Sequence, residues 1–227
     1  MDLLDFARGP GLAIALTVFV LGTAWRVVHL LRLPNPPDRS PPREGAPGKL
    51  GAAWATIRTG FWPRREFGPG AAVVTFNGYV FHVGLALMVF GYAPHIAFIH
   101  RLTGLSWPAL PDVVLYVSTA VTMTSLGLAL TLRLVDPVRR TLTGADDMIS
   151  WSLVMLPIFT GMAVIGEPSA TVLARGHAIY RDPLAIHLLS LELLLIWFPF
   201  GKLMHAILFF LSRGATGQRF RHRGVEI

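Results

Sequence analysis

Five long apolar stretches, separated by more polar segments, dominate the hydropathy pattern of this chain. They cover residues 11–33, 71–98, 112–132, 148–165 and 183–211. About 20 helical residues cross the ~30 Å hydrocarbon core of a membrane, so each stretch has a suitable length. Lipid offers the backbone no hydrogen-bond partner, and the stretches lack the alternation of barrel strands, so helices are expected. The pattern predicts an all-α integral membrane protein, a single domain built as a bundle of five transmembrane helices.

The overall composition agrees with this prediction. Of the 227 residues, 53% are hydrophobic and only 15% are charged, with a mean hydropathy of +0.55. A water-facing surface needs more polar residues than this, which excludes an ordinary soluble domain. The first stretch is interpreted as a membrane span and not as a cleaved signal, because Asp2 and Asp5 precede it in place of basic residues.

The distribution of Lys and Arg predicts the orientation. With the N-terminus outside, sixteen of the 20 basic residues fall on the inner side, and four fall outside: Arg8, Arg101, Arg175 and Arg181. Cytoplasmic loops retain positive charge, so the C-terminus is predicted to be cytoplasmic in a multi-pass protein of the cell inner membrane. This topology accounts for the net charge of +7 without nucleic acid.

Two cytoplasmic segments are expected, a loop over residues 34–70 and a tail over residues 212–227. The loop is proline-rich at its start and more helix-like at residues 50–59. It is either a solvated linker or a contact for a partner protein, and the basic tail either anchors to lipid headgroups or contacts a partner. Neither segment is large enough to carry out chemistry on a terminal substrate.

Histidines are the candidates for chemistry. The chain has no cysteine, so a redox centre would need other ligands, and histidine is the usual nitrogen ligand. The second stretch carries His82 and His95, with His100 just beyond its outer end, and the fifth carries His187 and His205. A polar side chain in the membrane is costly unless it is paired or functional. The alternative is a non-redox membrane anchor or transporter whose histidines are structural or relay protons.

The histidine spacing predicts two separate sites. His187 and His205 are eighteen residues apart, five helical turns, which puts both on one face of a straight helix and ~27 Å apart. The second helix runs in the opposite direction, so His82 is expected level with His205, and His95 near His187. Each pair would supply two imidazoles to one iron, as in a dihaem cytochrome b bundle.

Three motifs carry a resemblance to a known family. They are Phe81-His82-Val83-Gly84, Thr143-Gly144-Ala145-Asp146, and His187 followed eighteen residues later by the His205 that ends Phe198-Pro199-Phe200-Gly201-Lys202-Leu203-Met204-His205. In this order they resemble the gamma subunit of respiratory nitrate reductase and related quinol-linked cytochromes b, over residues 76–209. The resemblance implies that His82 and His205 bind an inner haem b, and that His187 supplies one ligand of an outer haem.

The chain departs from the family pattern at the fourth ligand. Where the family has a histidine ten residues after the first one, this sequence has Tyr92. His95 is the first choice of replacement because Pro94 can redirect the helix, although on an ideal helix it lies about 140° from His82. His100 is the second choice, and a protein with one haem is the third. Tyr92 would otherwise donate a hydrogen bond at a quinone site.

The expected function follows from these residues and the resemblance. Two haems b, with one as the alternative, would pass electrons between membrane quinone or quinol and a cytoplasmic iron–sulfur subunit. A catalytic reductase subunit would handle the terminal substrate. Arg26 is a candidate contact for the propionates of the inner haem, because guanidinium matches carboxylate in a bidentate manner.

Overall fold

The computed structural model describes residues 2–34, 39–62, 68–165 and 181–225, and within them the regular structure is helical, without a β-strand. This confirms the predicted all-α class. The helices are α1 (Leu3–Arg32), α2 (Lys49–Thr59), α3 (Gly68–Gly91), α4 (Ala93–Thr103), α5 (Asp112–Val135), α6 (Pro137–Thr141), α7 (Ala145–Met162), α8 (Arg181–Trp197) and α9 (His205–His222). Helix α1 includes one π-helical turn, Ala7–Gly11, around Pro10.

Three of the described helices, α1, α3 and α5, are long and apolar enough to cross a membrane. Helix α8 passes the same test only together with the segment Lys202–His222, and the two are bent by 78°. The described chain thus has three candidate spans, or up to four if the bent pair forms one. The stretch 148–165 forms α7, which stands outside this set because Asp146 and Asp147 in its first turn lower its hydropathy.

The second apolar stretch is broken, which corrects the expectation of one helix over residues 71–98. Helix α3 ends at Gly91, Tyr92 is extended at φ −83° and ψ 128°, and α4 begins at Ala93. Pro94 causes the break, because its ring lacks an amide hydrogen and clashes with the carbonyl four residues earlier. That carbonyl, on Phe90, accepts a hydrogen bond from the Trp107 indole at 2.5 Å.

The fifth apolar stretch is also broken, so the straight helix expected over residues 183–211 is wrong. Helix α8 ends at Trp197, and the turn that follows contains Pro199 and an extended Gly201 (φ −97°, ψ −175°). The carbonyl of Trp197 accepts the amides of Phe200 and Gly201 at 3.0 and 3.1 Å, which closes this turn. His187 and His205 therefore lie on two differently directed helices and not on one face of one helix.

The long helices pack in the order α1, α8, α7, α5, α3. Small and polar residues fill the α3–α5 contact at intervals of seven along α3. Asn77 exchanges hydrogen bonds with Ser125 at 2.9–3.0 Å, and a Cβ at Gly84 would lie only 2.0 Å from Thr122 Oγ1. Close approach through small residues is typical of helices that pack in membranes.

The described part of the expected loop, residues 39–62, is bound to the expected tail. Helix α9 continues through residues 212–222, and α2 packs along it in the antiparallel direction. A Cβ at Gly217 would lie 2.4 Å from Thr56 Oγ1 and 2.7 Å from the Ala52 carbonyl, so glycine is needed for this approach. The Arg43 amide donates to the His222 carbonyl at 3.0 Å. Residues 39–62 are therefore packed against the tail and are not a solvated linker.

Candidate functional site

The folded chain brings four histidines together as two pairs. The ring centroids of His82 and His205 are 6.1 Å apart, with ring planes at 88°. Those of His95 and His187 are 6.4 Å apart, with planes at 17°. These are the two pairings that the sequence predicts, although the breaks in both helices give them a different geometric origin. Helices α3 and α8 do not pack along their lengths. The first pair lies between α3 and the start of α9, and the second lies between α4 and α8.

The separation within each pair suits two ligands on one metal. An imidazole nitrogen binds a metal ion at about 2.0 Å, so two imidazoles on opposite sides of one iron have ring centroids roughly 6 Å apart. Both observed separations are close to this value. Either ring can rotate about its own iron–nitrogen bond, so both interplanar angles are compatible with such a site. The residues present therefore fit a bis-histidine haem at each of the two pairs.

Hydrogen bonds orient the rings of the first pair. Nδ1 of His82 donates to the Gly78 carbonyl at 2.7 Å, and Nδ1 of His205 donates to the Lys202 carbonyl at 3.0 Å. A histidine that uses Nδ1 in this way presents Nε2 as the ligand nitrogen, and the hydrogen bond fixes the tautomer and the ring orientation. Both side chains are exposed in the isolated chain.

A lock of polar residues holds the bend from which His205 projects. Asp147, at the start of α7, accepts Lys202 Nζ at 2.6 Å and Arg133 at 2.9 Å. Asp146 accepts the Lys202 amide at 3.4 Å and the Ser150 hydroxyl at 3.0 Å. Two of the segments that carry the family resemblance, residues 143–146 and 198–205, thus meet in space.

The contacts in this lock favour the ionised form of Asp147. Burial alone would raise the pKa of its carboxyl, but this effect is outweighed by the hydrogen bond from Lys202, the Gly144 amide at 3.0 Å and the charges of Arg133 and Lys202. The net result is a pKa below the ordinary value of an aspartate. Asp147 is therefore ionised at neutral pH and holds Lys202 in place.

A basic groove of about 370 Å³ lies beside His205. Arg26 from α1, Lys202 and Arg213 line it together with His205 itself. Three cationic side chains next to one imidazole are suited to carboxylate groups, which guanidinium can bind through two hydrogen bonds. Arg26 and the predicted inner ligand His205 thus line the same groove, and the propionate contact stays a prediction.

Neutral groups surround the second pair. The Thr160 hydroxyl lies 3.2 Å from Nδ1 of His187 and 3.0 Å from the Ser190 hydroxyl. Nδ1 of His95 donates to the Met88 carbonyl at 3.1 Å. That carbonyl is near the end of α3, where the break leaves backbone acceptors outside the helical ladder. A Cβ at Gly161 would lie 3.2 Å from the His187 ring, so this glycine leaves space for the imidazole.

Tyr92 and His100 occupy different positions from the paired rings. The Tyr92 ring is 5.2 Å from that of His95, and its hydroxyl donates to the Val164 carbonyl at 2.8 Å. His100 is exposed near the C-terminal end of α4, and His95 is the residue that faces His187. The break at Tyr92 removes the phase problem that an ideal helix gives His95.

Several contributing residues were not identified from the sequence. Asp147, Lys202, Thr160 and Ser190 are too common in type to stand out, and their partners are 27 to 55 residues away in the chain. Asp147 follows directly after one resemblance motif and Lys202 lies inside another, which is the signal that was available. Among the described residues, no three His, Asp or Glu side chains lie together in a cluster that could hold a metal ion.

Comparisons with known proteins show a family for the chain without assigning an activity. No protein-family model matches the chain. A protein of Nitratidesulfovibrio vulgaris (strain Hildenborough) is 30% identical over 224 residues, which cover 95% of this chain and 92% of that protein. Its name states no activity. At this identity over nearly the whole of both chains, the chain belongs to the same family as the Nitratidesulfovibrio vulgaris protein.

Proposed function

We propose that this protein is a membrane cytochrome b that holds two haems b, each between two histidines. The observation that carries the proposal is the pair of imidazole separations, 6.1 Å and 6.4 Å, at two different places between α3–α4 and α8–α9. His82 and His205 would hold one haem, and His95 and His187 the other. Haem b, when bound, supplies one-electron transfer, while the protein sets ligation, orientation and polarity.

The distribution of charge supports an orientation with the His205 pair on the cytoplasmic side. This is the topology that keeps most Lys and Arg residues inside, with the N-terminus outside and the C-terminus cytoplasmic. In that orientation the chain crosses the membrane five times, with α7 as the fourth crossing and α8, before its 78° bend, as the fifth. The basic groove of Arg26, Lys202 and Arg213 would then face the inner surface, and its cations would hold the carboxylate groups of the inner haem.

Membrane quinol is the proposed electron donor at the His187 end. Its oxidation to quinone releases two electrons and two protons, and the electrons leave one at a time towards the cytoplasmic side. Tyr92, next to His95, is the proposed contact for the quinone ring. The Tyr92 hydroxyl already donates to Val164, so it would offer the quinol an acceptor oxygen.

The proposed partners are a cytoplasmic iron–sulfur subunit, which accepts the electrons, and a catalytic reductase subunit. The chain is then the quinol-oxidising subunit of an oxidoreductase complex, and chemistry on the terminal substrate takes place elsewhere in that complex. Nitrate is one terminal acceptor compatible with the family resemblance, and sulfur compounds are another.

Quinol-driven reduction tests the proposed function. Membranes containing the chain are mixed with a short-chain quinol, and the b-type absorption bands are followed against time. His187→Ala should abolish fast reduction, whereas His100→Ala, a change at an exposed histidine outside the pairs, should leave the rate within about twofold of the unchanged protein. Equal reduction in both variants would contradict entry of electrons at the His187 end.

A further inference from the structure

Helix α2 presents large apolar side chains on the face opposite to its contact with α9. Leu50 is 85% exposed and Trp54 is 68% exposed, whereas Ala52 and Thr56 are buried against α9. At about 100° per residue, Leu50 and Trp54 lie within roughly 40° of each other on the helix surface. Ala52 and Thr56 lie on the other side. One side of α2 is thus packed through small residues and the other is bulky and unpartnered among the described residues.

The bend after α8 sets the direction of this face. Helix α9 lies within a segment bent by 78° from α8, and α2 is antiparallel to α9. The ring centroids of Phe61, just after α2, and Phe209, near the start of α9, are 5.5 Å apart. Near the end of α9, Arg221 Nε donates to Thr56 Oγ1 at 3.3 Å. If α8 crosses the bilayer close to its normal, α2 and α9 lie almost in the membrane plane. A helix in this position meets the headgroup layer along its length.

Charge around this helix pair matches an anionic lipid surface. Residues 39–62 contain four Lys or Arg and one Glu, and residues 202–225 contain five Lys or Arg and no acidic residue. Lys49 and Arg58 flank the apolar face of α2. Tryptophan prefers the membrane–water interface, and each basic residue near an anionic leaflet adds to the attraction. Helix α9 also exposes Phe210 and Phe220, so both helices present large apolar side chains.

From these observations we infer that the Leu50–Trp54 face of α2 inserts into the headgroup layer of an anionic bilayer, at the same end of the molecule as His205. The α2–α9 pair then lies in the interface, with one face of α2 in contact with lipid and the other packed against α9. The inference does not depend on haem, and its failure would leave the proposed electron transfer standing. An acidic protein is the competing occupant of the face.

Spin labels at single cysteines test the placement, because the chain contains no cysteine of its own. Leu50→Cys and Trp54→Cys place labels on the exposed face. Gly51→Cys is the control beside this face, since Gly51 is exposed, lies about 100° round the helix from Leu50 and about 60° from Trp54, and a Cβ there would meet only Pro47 Cβ at 3.8 Å. The full-length variants are placed in nanodiscs of phosphatidylcholine and phosphatidylglycerol, and electron paramagnetic resonance measures collisions with oxygen and with a water-soluble nickel chelate.

The expected result is a higher oxygen-to-nickel collision ratio at positions 50 and 54 than at 51, by several-fold. In nanodiscs of phosphatidylcholine alone, nickel collisions at positions 50 and 54 should increase. Nickel access at 50 and 54 equal to that at 51 would overturn the inference. The inference would also be overturned if positions 50 and 54 were accessible to water in nanodiscs and became protected only in the intact complex with partner subunits. In that case the face would bind protein. Identical ratios in the neutral and anionic nanodiscs would overturn the requirement for anionic lipid.

Discussion

The two histidine pairs are built in the same way, each from one histidine inside a continuous helix and one that follows a helix break. His82 lies inside the continuous helix α3, and its partner His205 comes just after the break that follows Trp197. His187 lies inside α8, and its partner His95 comes just after the break at Tyr92. Because the interrupted pairs α3–α4 and α8–α9 each contribute one histidine before the break and one after it, each interrupted pair serves both sites. A proline near each break, Pro94 or Pro199, makes this arrangement possible.

The surroundings of the two pairs differ. The His82–His205 pair is exposed in the isolated chain, lies beside three cations and depends on the ion pairs of Asp147. The His95–His187 pair is partly buried and is held by hydroxyls and backbone carbonyls. The first site should therefore respond to changes in charge and pH, and the second to changes in packing. The following experiments separate the two sites on this basis.

The largest expected effect is loss of one whole site. His82→Ala and His205→Ala should each reduce the haem content from two per chain to one, because neither histidine alone completes a low-spin bis-imidazole site. Pyridine haemochrome quantification gives the stoichiometry, and low-temperature difference spectra should show that the same band is lost in both variants. Loss of different bands in the two variants would contradict the pairing.

An effect of similar size is expected at the other pair for His95→Ala but not for His100→Ala. His95 faces His187, whereas His100 is exposed near the end of α4. The haem count should fall by one in the first variant and stay at two in the second. The opposite outcome would identify His100 as the ligand, and no change in either would require another ligand at this end.

Straightening or displacing the bend after α8 should weaken only the His82–His205 site. A Cβ at Gly201 would lie 2.3 Å from Trp197 Nε1 and 3.1 Å from Asp146 Oδ1, so Gly201→Ala must shift the turn that leads to His205. Partial loss of one haem is expected, by about half, with the other intact. Gly144→Ala is the control, because a Cβ there would meet nothing within 4 Å. Equal losses at both sites would indicate general unfolding.

A smaller effect is expected from the lock at Asp147. Its partners Lys202 and Arg133 are partly exposed, so Asp147→Asn should cost about 1–2 kcal/mol of stability at neutral pH. The folded pKa of Asp147 is lowered, so this stabilisation is present above the unfolded pKa of about 3.9 and is lost as pH falls through the lower folded pKa. Thermal unfolding of both proteins should differ from pH 5 to 8, and the difference should begin to shrink below about pH 4 and vanish below the folded pKa of Asp147. A difference that grows on acidification would refute this role.

The smallest expected effect concerns Arg26. Arg26→Gln removes one of the three cations near His205 but leaves both histidine ligands in place. The effect on the haem at that site should therefore be smaller than the effect of losing a ligand. We expect both haems to remain, with a lower midpoint potential for one of them, because removal of positive charge disfavours reduction. Arg26→Lys should restore most of the shift. Potentiometric titration measures it, and a shift confined to the other haem would place the propionates elsewhere.

The sequence predicted the helical class and the histidine pairings, but for partly incorrect geometric reasons. Periodicity alone assigns continuous helices, whereas Pro94 and Pro199 interrupt them, and the exact redirection depends on tertiary contacts such as Trp107 with the Phe90 carbonyl. The Asp147–Lys202 lock and the α2–α9 pair join segments distant in the chain. No local pattern encodes such contacts. The need for a glycine at a position such as Gly217 can be recognised only when the opposing helix surface is known.

The most direct test of the central claim is the haem content of the purified, correctly folded chain. A reduced-minus-oxidised spectrum combined with pyridine haemochrome quantification should show two haems b per chain, both low-spin, with one lost in His82→Ala and the other in His187→Ala. A colourless preparation that retains its helical circular dichroism and a cooperative thermal transition would contradict the account. The paired histidines would then be structural groups or a proton path in a non-redox membrane protein.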